Sequence, residues 1–246
     1  MDEAAGVALI TGASRRIGAE IVRVLHDAGL RIALHFHRSA AEAEALAAGL
    51  NSVRPDSVLP LQADLNDVAN LPGLIEKVLN HWGRLDALVN NASTFYPTPL
   101  GEVTISQWDE LLSGNLRAPF FLTQAAAPTL KGQRGAVVNL VDIYAERPLR
   151  FHTVYSIAKA GLAALTRSLA VELAPEVRVN GVAPGAILWP EQRHELGAQA
   201  EILGKVPLAR AGNPSDIARA VRFLLFDAPY VTGQILAVDG GRSLFI

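Results

Sequence analysis

The chain has 246 residues, of which 50% are hydrophobic, and its 22 Lys plus Arg against 24 Asp plus Glu give a formal net charge of −2. This composition excludes a disordered chain, which needs low hydrophobicity and high net charge, and it offers no cation cluster for nucleic-acid phosphates. The absence of cysteine excludes disulfides and thiolate metal sites, and no apolar run approaches the roughly 18 residues of a membrane span, so we expect a cytoplasmic protein with neither a bound metal nor a membrane partner.

Short β-branched runs alternate with longer stretches rich in Ala and Leu along the whole chain. An acidic start, Met1 to Glu3, leads directly into the first of these runs, and we expect no secretory signal there. In chain order, the predicted elements are strand Val7–Ile10, helix Ala19–Ala28, strand Arg31–Phe36, helix Ser39–Leu50, strand Val58–Gln62, helix Leu71–Trp82, strand Leu85–Asn90, helix Ile105–Leu130, strand Gly135–Val141, helix Ser156–Leu173, strand Val177–Val182, helix Asn213–Phe226 and strand Gln234–Val238.

This alternation predicts an α/β fold in which helices cover both faces of a mostly parallel, seven-stranded sheet. We expect a single domain over residues 1–246, with a substrate loop in the least regular part, around 185–212. Ser39, with Glu42 three residues later, predicts a capping box at the start of its helix. Pro119 and Pro128 predict kinks or breaks in the long helical stretch.

A glycine-rich turn separates the first strand from its helix, with the sequence Thr11-Gly12-Ala13-Ser14-Arg15-Arg16-Ile17-Gly18. A turn at this place lets backbone N–H groups and a helix N-terminus face a pyrophosphate. Its position between a strand and a helix makes it more specific than a glycine pattern alone. The two arginines are hard to explain by packing, and phosphate charge would pair them.

The end of the second strand indicates which dinucleotide binds. Folds that bind NAD usually have Asp or Glu there for the ribose hydroxyls, whereas this chain has His35-Phe36-His37-Arg38-Ser39. A guanidinium, an imidazole and a hydroxyl suit the dianionic 2′-phosphate, so the sequence predicts NADP(H). Two alternatives stay open, namely Arg38 as a solvated surface charge and His35 as a packed strand residue.

Tyr155 and Lys159 are four residues apart at the start of a helix and therefore share one of its faces. A lysine charge about 5 Å from a phenol stabilises the phenolate by roughly 3 kcal/mol at an effective dielectric of about 20. We therefore expect the pKa of Tyr155 to fall toward neutrality, where a phenol acts as acid or base. The Tyr-x-x-x-Lys pattern is weak alone and strong beside the nucleotide turn, Asn90-Asn91-Ala92 and Pro184-Gly185.

These motifs together resemble the short-chain dehydrogenase/reductase family, from Thr11 to the Val238-Asp239-Gly240-Gly241 end. The resemblance implies a doubly wound Rossmann fold, catalytic Tyr155 and Lys159, and Asn115 as the anchor of a proton-relay water. It also implies that NADP(H) is held by Gly12, Ser14, Arg15, Arg16, Ile17, His37, Arg38, Ser39, Asp64, Leu65, Asn91, Ala92, Ser93, Tyr155, Lys159, Pro184, Gly185, Ile187 and Leu188. Since the family's threonine after Pro-Gly is missing, the carboxamide contacts near Trp189 must come from backbone groups.

Two departures from the family pattern indicate the substrate. Asp142 stands where the family has a serine, and Arg16 stands where it has a glycine. An ionised carboxylate only accepts hydrogen bonds and repels a developing alkoxide, but it suits a substrate that presents N–H groups. Arg16 adds positive charge between the phosphates and the active site. Both changes favour C=N reduction in a nitrogen heterocycle over ketone reduction.

The same departures resemble the pteridine reductases within that family, and residues 91–100 resemble their substrate loop. This resemblance implies that Phe95 stacks on a pterin, although ordinary core packing is the alternative for Phe95. It also implies that Ser93 and Arg16 bind both cofactor phosphate and pterin, and that Asp142 and Tyr155 form the proton-donating pair.

By resemblance, the expected substrates are dihydrobiopterin, dihydromonapterin or dihydrofolate, and the expected assembly is a homotetramer. Two alternatives stay open: a reductase of a carbonyl such as a 3-oxoacyl thioester, and a non-catalytic NADP-binding sensor. Asp142 speaks against the first, because that chemistry needs a hydrogen-bond donor at the oxyanion. Intact Tyr155 and Lys159 speak against the second. Arg150 and His152 are weaker candidates to face the substrate.

Overall fold

Seven strands form one sheet in the computed structural model, which describes residues 6–187 and 201–245. The strands are β1 (Val7–Ile10), β2 (Arg31–Phe36), β3 (Val58–Gln62), β4 (Ala87–Asn90), β5 (Ala136–Leu140), β6 (Arg178–Pro184) and β7 (Ile235–Val238). Their spatial order is β3-β2-β1-β4-β5-β6-β7, and every neighbouring pair is parallel. The order reverses between β1 and β4, and such a switch point opens a crevice at the carboxyl ends of the strands.

Helices lie on both faces of this sheet, and their lengths follow the sequence pattern. They are α1 (Arg16–Asp27), α2 (Ala40–Val53), α3 (Leu71–Trp82), α4 (Ile105–Leu112), α5 (Ala118–Gln133), α6 (Thr153–Glu172) and α7 (Pro214–Arg222). None of the helices within the described ranges is long and apolar enough to cross a membrane.

The two sides of β1 show how the sheet separates two hydrophobic clusters. Ala8 and Ile10 pack in the cluster that contains α1, α2 and α7. Val7 and Leu9 pack in the cluster that contains α3, α5 and part of α6. Successive strand side chains point to opposite faces, so an apolar strand without alternation is buried on both sides. The predicted doubly wound Rossmann fold is confirmed.

A row of buried polar side chains crosses the sheet beneath the crevice. Asn90 on β4 donates from Nδ2 to Asn139 Oδ1 on β5 at 2.8 Å and to Thr123 Oγ1 on α5 at 3.3 Å. Asn139 donates in turn to Thr166 Oγ1 on α6 at 2.9 Å. The row therefore connects two neighbouring strands with two helices, α5 and α6, that pack in the same hydrophobic cluster.

The predicted capping box at Ser39 is wrong. Ser39 makes no side-chain cap bond, and Glu42 instead places its carboxylate 3.7 Å from the Arg15 guanidinium. Ser39 has a φ of −90° and a ψ of 59°, outside the extended conformation that an N-cap residue usually adopts, which explains the missing cap bond. A capping box does form at the start of α4, between Thr104 and Gln107.

The long helical stretch is divided, but only partly as its prolines predict. Pro119 lies in the first turn of α5, where its missing N–H is tolerated. Pro128 lies inside α5, which continues to Gln133, so the helix does not break there, and a kink at Pro128 stays a prediction. The division comes from a π-helical segment, Ser113–Arg117, which widens the helix just before α5.

Candidate active site

Thr11 and Asn91 clamp the glycine-rich turn to the end of β4. The Thr11 hydroxyl oxygen accepts the backbone N–H groups of Asn91 at 2.9 Å and Ala92 at 3.0 Å. The Asn91 amide donates to the carbonyl oxygens of Thr11 and Gly12, both at 2.9 Å. Four hydrogen bonds thus fix the turn and the crevice edge of β4 relative to each other.

His35 supports the same turn from β2. Its Nδ1 accepts the Gly12 N–H at 3.2 Å, and its Nε2 lies 3.1 Å from the Ala63 carbonyl oxygen, to which it donates. Burial lowers the pKa of His35 to about 4, so the ring is neutral at physiological pH. His35 is therefore a packed strand residue, as the alternative interpretation predicts.

Two glycines of the turn have no room for a side chain. Gly12 adopts a φ of +59°, and a Cβ there would lie 2.9 Å from the Ala92 Cα. At Gly18 a Cβ would lie 2.2 Å from the Gly12 carbonyl oxygen and 2.7 Å from the Asn91 amide nitrogen. The turn therefore packs backbone against backbone at the start of α1, which leaves N–H groups facing the crevice.

Replacing Gly18 by Ala is expected to lower the free energy of unfolding by about 1–3 kcal/mol, because the added methyl displaces atoms that the clamp holds in place. The affinity for the predicted NADP(H) cofactor should fall at least about tenfold with the distorted turn. Urea unfolding and a fluorescence titration with NADPH measure the two effects.

The matched control is Gly49→Ala on α2, where a Cβ meets nothing within 4 Å. Alanine is the better helix former, so this variant should be neutral or up to about 1 kcal/mol more stable, with unchanged NADPH binding. Equal behaviour of the two variants would contradict the close packing at Gly18.

Cationic side chains surround the outer rim of the crevice. Arg15 and Arg38 are exposed, and Arg38 makes no hydrogen bond or ion pair within the described ranges. Arg16 is also exposed and has a φ of +53°, in the region that favours glycine. This backbone conformation explains why the family pattern has a glycine at this position. For a residue with a side chain, such as Arg16, the left-handed conformation costs about 1–2 kcal/mol. His37 lies 3.8 Å from Asp64.

Three apolar members of the predicted cofactor set have little side-chain surface to offer. Leu65 and Ile187 are buried in the core, and Ile17 is partly buried against it. Contacts of Leu65 and Ile187 with a ligand would therefore have to come mainly from their backbones. Leu188 and Trp189 lie outside the described residues, as does the rest of the predicted substrate loop up to residue 200.

The end of β6 closes the crevice opposite the glycine turn. Gly185 donates its N–H to the Val238 carbonyl oxygen at 3.1 Å. A Cβ on Gly185 would lie 2.6 Å from the Asp239 Cβ, so only glycine fits beside that chain. Gly185, next to Pro184, therefore leaves this side of the predicted cofactor cleft without a projecting side chain.

Tyr155, Asp142 and Lys159 meet where β5 ends and α6 begins. The Tyr155 hydroxyl donates to Asp142 Oδ2 at 2.7 Å, and the Tyr144 N–H donates to Asp142 Oδ1 at 2.9 Å. Lys159 is only 2% exposed; its ammonium donates to the Leu140 carbonyl oxygen at 2.8 Å and lies 5.7 Å from the centre of the Tyr155 ring. Asp142 is partly accessible, so this group borders the crevice.

The electrostatics of this group differ from the expectation. Burial and then the adjacent Asp142 carboxylate raise the pKa of Tyr155 well above its usual value. Burial lowers the pKa of Lys159 to about 8, despite the opposing charge of Asp142. The expected fall in the Tyr155 pKa is therefore wrong, because burial and, after it, the carboxylate 2.7 Å from the phenol both raise that pKa. Tyr155 stays protonated at neutral pH.

Burial likewise raises the pKa of Asp142, even though four neighbours oppose it. Hydrogen bonds from the Tyr144 N–H and the Tyr155 hydroxyl lower the pKa, as do the charges of Lys159 and Arg242. A carboxyl group with a raised pKa can exchange a proton closer to neutral pH than an exposed one.

Asn115 lies in the π-helical segment and holds the loop after β4. Its amide donates to the carbonyl oxygens of Thr94 at 2.9 Å and Leu111 at 3.0 Å, and its Oδ1 accepts the Ser93 hydroxyl at 2.7 Å. Ser93 also lies beside the Tyr155 phenol and lowers its pKa. The Asn115 side chain thus positions the loop, and its role in a proton relay stays a prediction.

Phe95 lies against Tyr155 and is 47% exposed, so the alternative of ordinary core packing is wrong. Its ring is perpendicular to that of Tyr155, with centres 4.8 Å apart, and is stacked on His152 at 4.6 Å. His152 is buried, and its ring bonds to the Arg150 carbonyl oxygen at 2.9 Å. His152 therefore packs against the Phe95 ring and is not exposed to solvent.

Tyr144 and Arg242 are the site residues that the sequence did not assign. Arg242 follows directly after the Asp-Gly-Gly end, and its guanidinium carbon lies 5.6 Å from the centre of the Tyr144 ring. An arginine immediately after a family motif is the one signal that points to it.

Comparison with known proteins agrees with this geometry. A sequence profile described as enoyl-(acyl carrier protein) reductase matches residues 12–243. Pteridine reductase 1 of Leishmania tarentolae is 41% identical over 281 aligned positions, which cover 98% of this chain and 97% of that protein. The 3-oxoacyl-(acyl-carrier-protein) reductase FabG of Staphylococcus aureus (strain N315) is 37% identical, with 96% of this chain and 98% of that protein covered. The corresponding reductase of Synechocystis is 35% identical, with 98% of each chain covered.

Proposed function

The chain belongs to the short-chain dehydrogenase/reductase family of oxidoreductases, and from this we propose that it is an NADPH-dependent pteridine reductase. In the proposed reaction a C=N bond of a dihydropterin is reduced to give the tetrahydro form. The observation that carries the proposal is the bond between the Tyr155 hydroxyl and Asp142, where the family pattern has a serine. The similarity to a pteridine reductase over 98% of the chain supports it.

The residues of the crevice fit NADPH. The packed glycine turn leaves no room for side chains where a pyrophosphate would lie against the start of α1. His37, Arg38 and Ser39 follow β2, and no carboxylate stands there to bind a ribose 2′-hydroxyl. When bound, NADPH supplies the hydride. Lys159 would hold the nicotinamide ribose, and Asp64 would contact the adenine.

Arg38→Asp is expected to lower the preference for NADPH over NADH about tenfold to a hundredfold, because the variant exchanges a charge-assisted hydrogen bond to the 2′-phosphate for repulsion. Fluorescence titrations with both dinucleotides measure the preference directly, and kcat/KM values check it. Arg23→Met on the exposed side of α1, where Arg23 pairs with Glu20 at 3.5 Å, is the control and should leave the preference unchanged. If Arg38→Asp keeps the wild-type preference for NADPH over NADH, Arg38 is a solvated surface charge and does not bind the 2′-phosphate.

The proposed proton donor is the Tyr155–Asp142 pair. Tyr155 keeps its proton at neutral pH, and the raised pKa of Asp142 lets that carboxyl take up a proton from solvent and pass it on. A ring nitrogen that gains a proton, or a ring N–H that donates to the carboxylate, is compatible with this pair. An alkoxide formed from a ketone would instead face the negative charge that Asp142 carries whenever it has given up its proton.

Phe95 and Arg16 would complete the substrate pocket. Phe95 offers a half-exposed ring that is supported by His152, and a flat bicyclic pterin would stack on it. Arg16 is retained in a backbone conformation that costs a side chain energy, which supports a functional role for its guanidinium near substrate and phosphate. Ser93, beside Tyr155, would bind the same substrate.

A carbonyl reductase of a 3-oxoacyl thioester is the second candidate, since FabG proteins share 37% identity with this chain. Loss of NADPH absorbance with dihydrobiopterin, dihydromonapterin, dihydrofolate and an acetoacetyl thioester distinguishes the two. Turnover of a dihydropterin with little turnover of the thioester supports the proposal. Turnover of the thioester alone would contradict it, and NADPH binding without any turnover would favour a sensor.

We also infer a cytoplasmic homotetramer, built partly on the helices that carry Asn115 and Tyr155. Exposed apolar side chains on these helices, namely Phe120, Ile157 and Val171, support a contact with other copies of the chain.

A further inference from the structure

Arg242 is distant from Tyr155 in sequence and reaches the active site because of the order of the strands in the sheet. Asp142 follows β5, and the short 3₁₀ turn Arg242–Leu244 follows β7, so both lie at the carboxyl edge of the same parallel sheet. The Asp239 carboxylate accepts the N–H groups of Gly241 at 2.9 Å and Ser243 at 2.7 Å. These bonds fix the backbone on both sides of Arg242.

The Arg242 side chain is a buried cation without an ion-pair partner in the described parts of the chain. It is 7% exposed, its Nε has no hydrogen-bond partner, and its guanidinium lies 5.6 Å from the centre of the Tyr144 ring. A guanidinium stays charged at every physiological pH, and a buried charge without compensation is destabilising. The Tyr144 ring offsets part of this cost through a cation–π contact.

We propose that Arg242 is a positioning residue for Asp142: it packs on Tyr144, whose backbone N–H holds Asp142 Oδ1, and it adds a second positive charge near that carboxyl group. The proposal rests on the proposed function only in that Asp142 takes part in turnover. It does not depend on which dihydropterin is the substrate.

The groups that face Asp142 come from three elements. Tyr155 and Lys159 lie on α6, Tyr144 lies in the 3₁₀ turn after β5, and Arg242 comes from the turn after β7. The pKa of Lys159 is about 8, so its positive charge is lost as the pH rises through that value. Arg242 keeps its charge there and becomes the cation that still favours ionised Asp142.

Removing the Arg242 charge should therefore shift the pKa of Asp142 in a defined direction. Without this cation the carboxylate is less stabilised, so the pKa of Asp142 rises and the carboxyl group keeps its proton to higher pH. Because the proposed reaction needs that proton, the alkaline limb of the kcat/KM profile for a dihydropterin should move upward in Arg242→Met, by about 0.5–1 pH unit. Arg242→Lys keeps the charge and should restore most of the limb's original position.

The test compares these profiles with that of Arg23→Met, which removes a charge of the same sign from an exposed site and should not move the limb. The proposal is overturned if the alkaline limb of the kcat/KM profile lies at the same pH in Arg242→Met as in the wild type. It is also overturned if Arg242→Met and Arg242→Lys shift this limb equally. If Arg242→Met fails to fold, Arg242→Gln, which is also uncharged, replaces it.

Asp142→Asn, assayed in parallel, separates this result from the proposed function. If the wild type turns over no dihydropterin, or if Asp142→Asn is fully active, the proposed function fails. If Asp142 is needed but the limb does not move in the uncharged Arg242 variant, only the role of Arg242 is rejected.

Discussion

Replacing Asp142 by Asn is expected to lower kcat/KM for a dihydropterin about a hundredfold to a thousandfold, as for loss of a general acid. Asn has nearly the same shape and still offers an oxygen to the Tyr155 hydroxyl, but it cannot take up or release a proton. Its NH₂ group would also face either Tyr155 or the Tyr144 N–H, both of which now donate to the carboxylate. NADPH affinity should change little, which a fluorescence titration checks.

Asp142→Ser is the more informative companion, because it restores the family's usual residue. A serine hydroxyl donates to an oxyanion, so this variant should lose dihydropterin turnover while its activity on an acetoacetyl thioester rises. Steady-state assays on both substrates measure the change in preference. Dihydropterin turnover that is indifferent to both substitutions would remove Asp142 from the mechanism.

Tyr155→Phe is expected to reduce kcat by about a hundredfold to ten-thousandfold, since the phenol is the group through which the proton would reach the substrate. The variant also removes a hydrogen bond to Asp142 Oδ2, so the pKa of that carboxyl should rise further. Single-turnover measurements with saturating NADPH separate this chemical step from cofactor binding.

Tyr230→Phe is the matched control, because the Tyr230 side chain is fully exposed and far from this chemistry. It should have wild-type rates and unfolding behaviour. A Tyr155→Phe variant that loses NADPH affinity as strongly as it loses rate would indicate a binding role instead of proton transfer.

The parts of the fold that depend on local pattern were predictable from the sequence. The apolar run of β1 and the glycine turn after it predict a strand, a backbone turn and a helix start within a few residues of each other. Gly12 and Gly18 could be singled out because their neighbours in sequence define the turn. His35 and Thr11 hold this turn through hydrogen bonds to residues distant in sequence. From the sequence, His35 could be identified only as a packed strand residue and Thr11 only as part of the turn.

The electrostatics of the active site could not be predicted from spacing alone. The four-residue interval between Tyr155 and Lys159 correctly places both on one helix face. Spacing does not show that Asp142 lies 2.7 Å from the phenol, nor that the lysine ammonium turns to the Leu140 carbonyl oxygen. The sign of the Tyr155 pKa shift depends first on the burial of the phenol and then on the Asp142 carboxylate, and both follow from how β5 is placed against α6.

Arg15 and Glu42 illustrate the same limit at the surface. The sequence predicts a capping box from two residues three apart, whereas tertiary structure brings a cation from another loop to the glutamate. Similarly, Arg242 enters the site only because β7 ends at the same edge as β5, which no local pattern reveals.

The row of amides through Asn90 and Asn139 has a consequence for how the chain finds its structure. β4 and β5 are short, apolar and similar, so hydrophobicity alone would accept several alignments between them. Each amide reaches its partners in one alignment, and a slip by one residue would leave buried polar groups unpaired at about 1–3 kcal/mol each. The row therefore favours the one alignment of β4 with β5 on which the position of Asp142, just beyond the end of β5, depends.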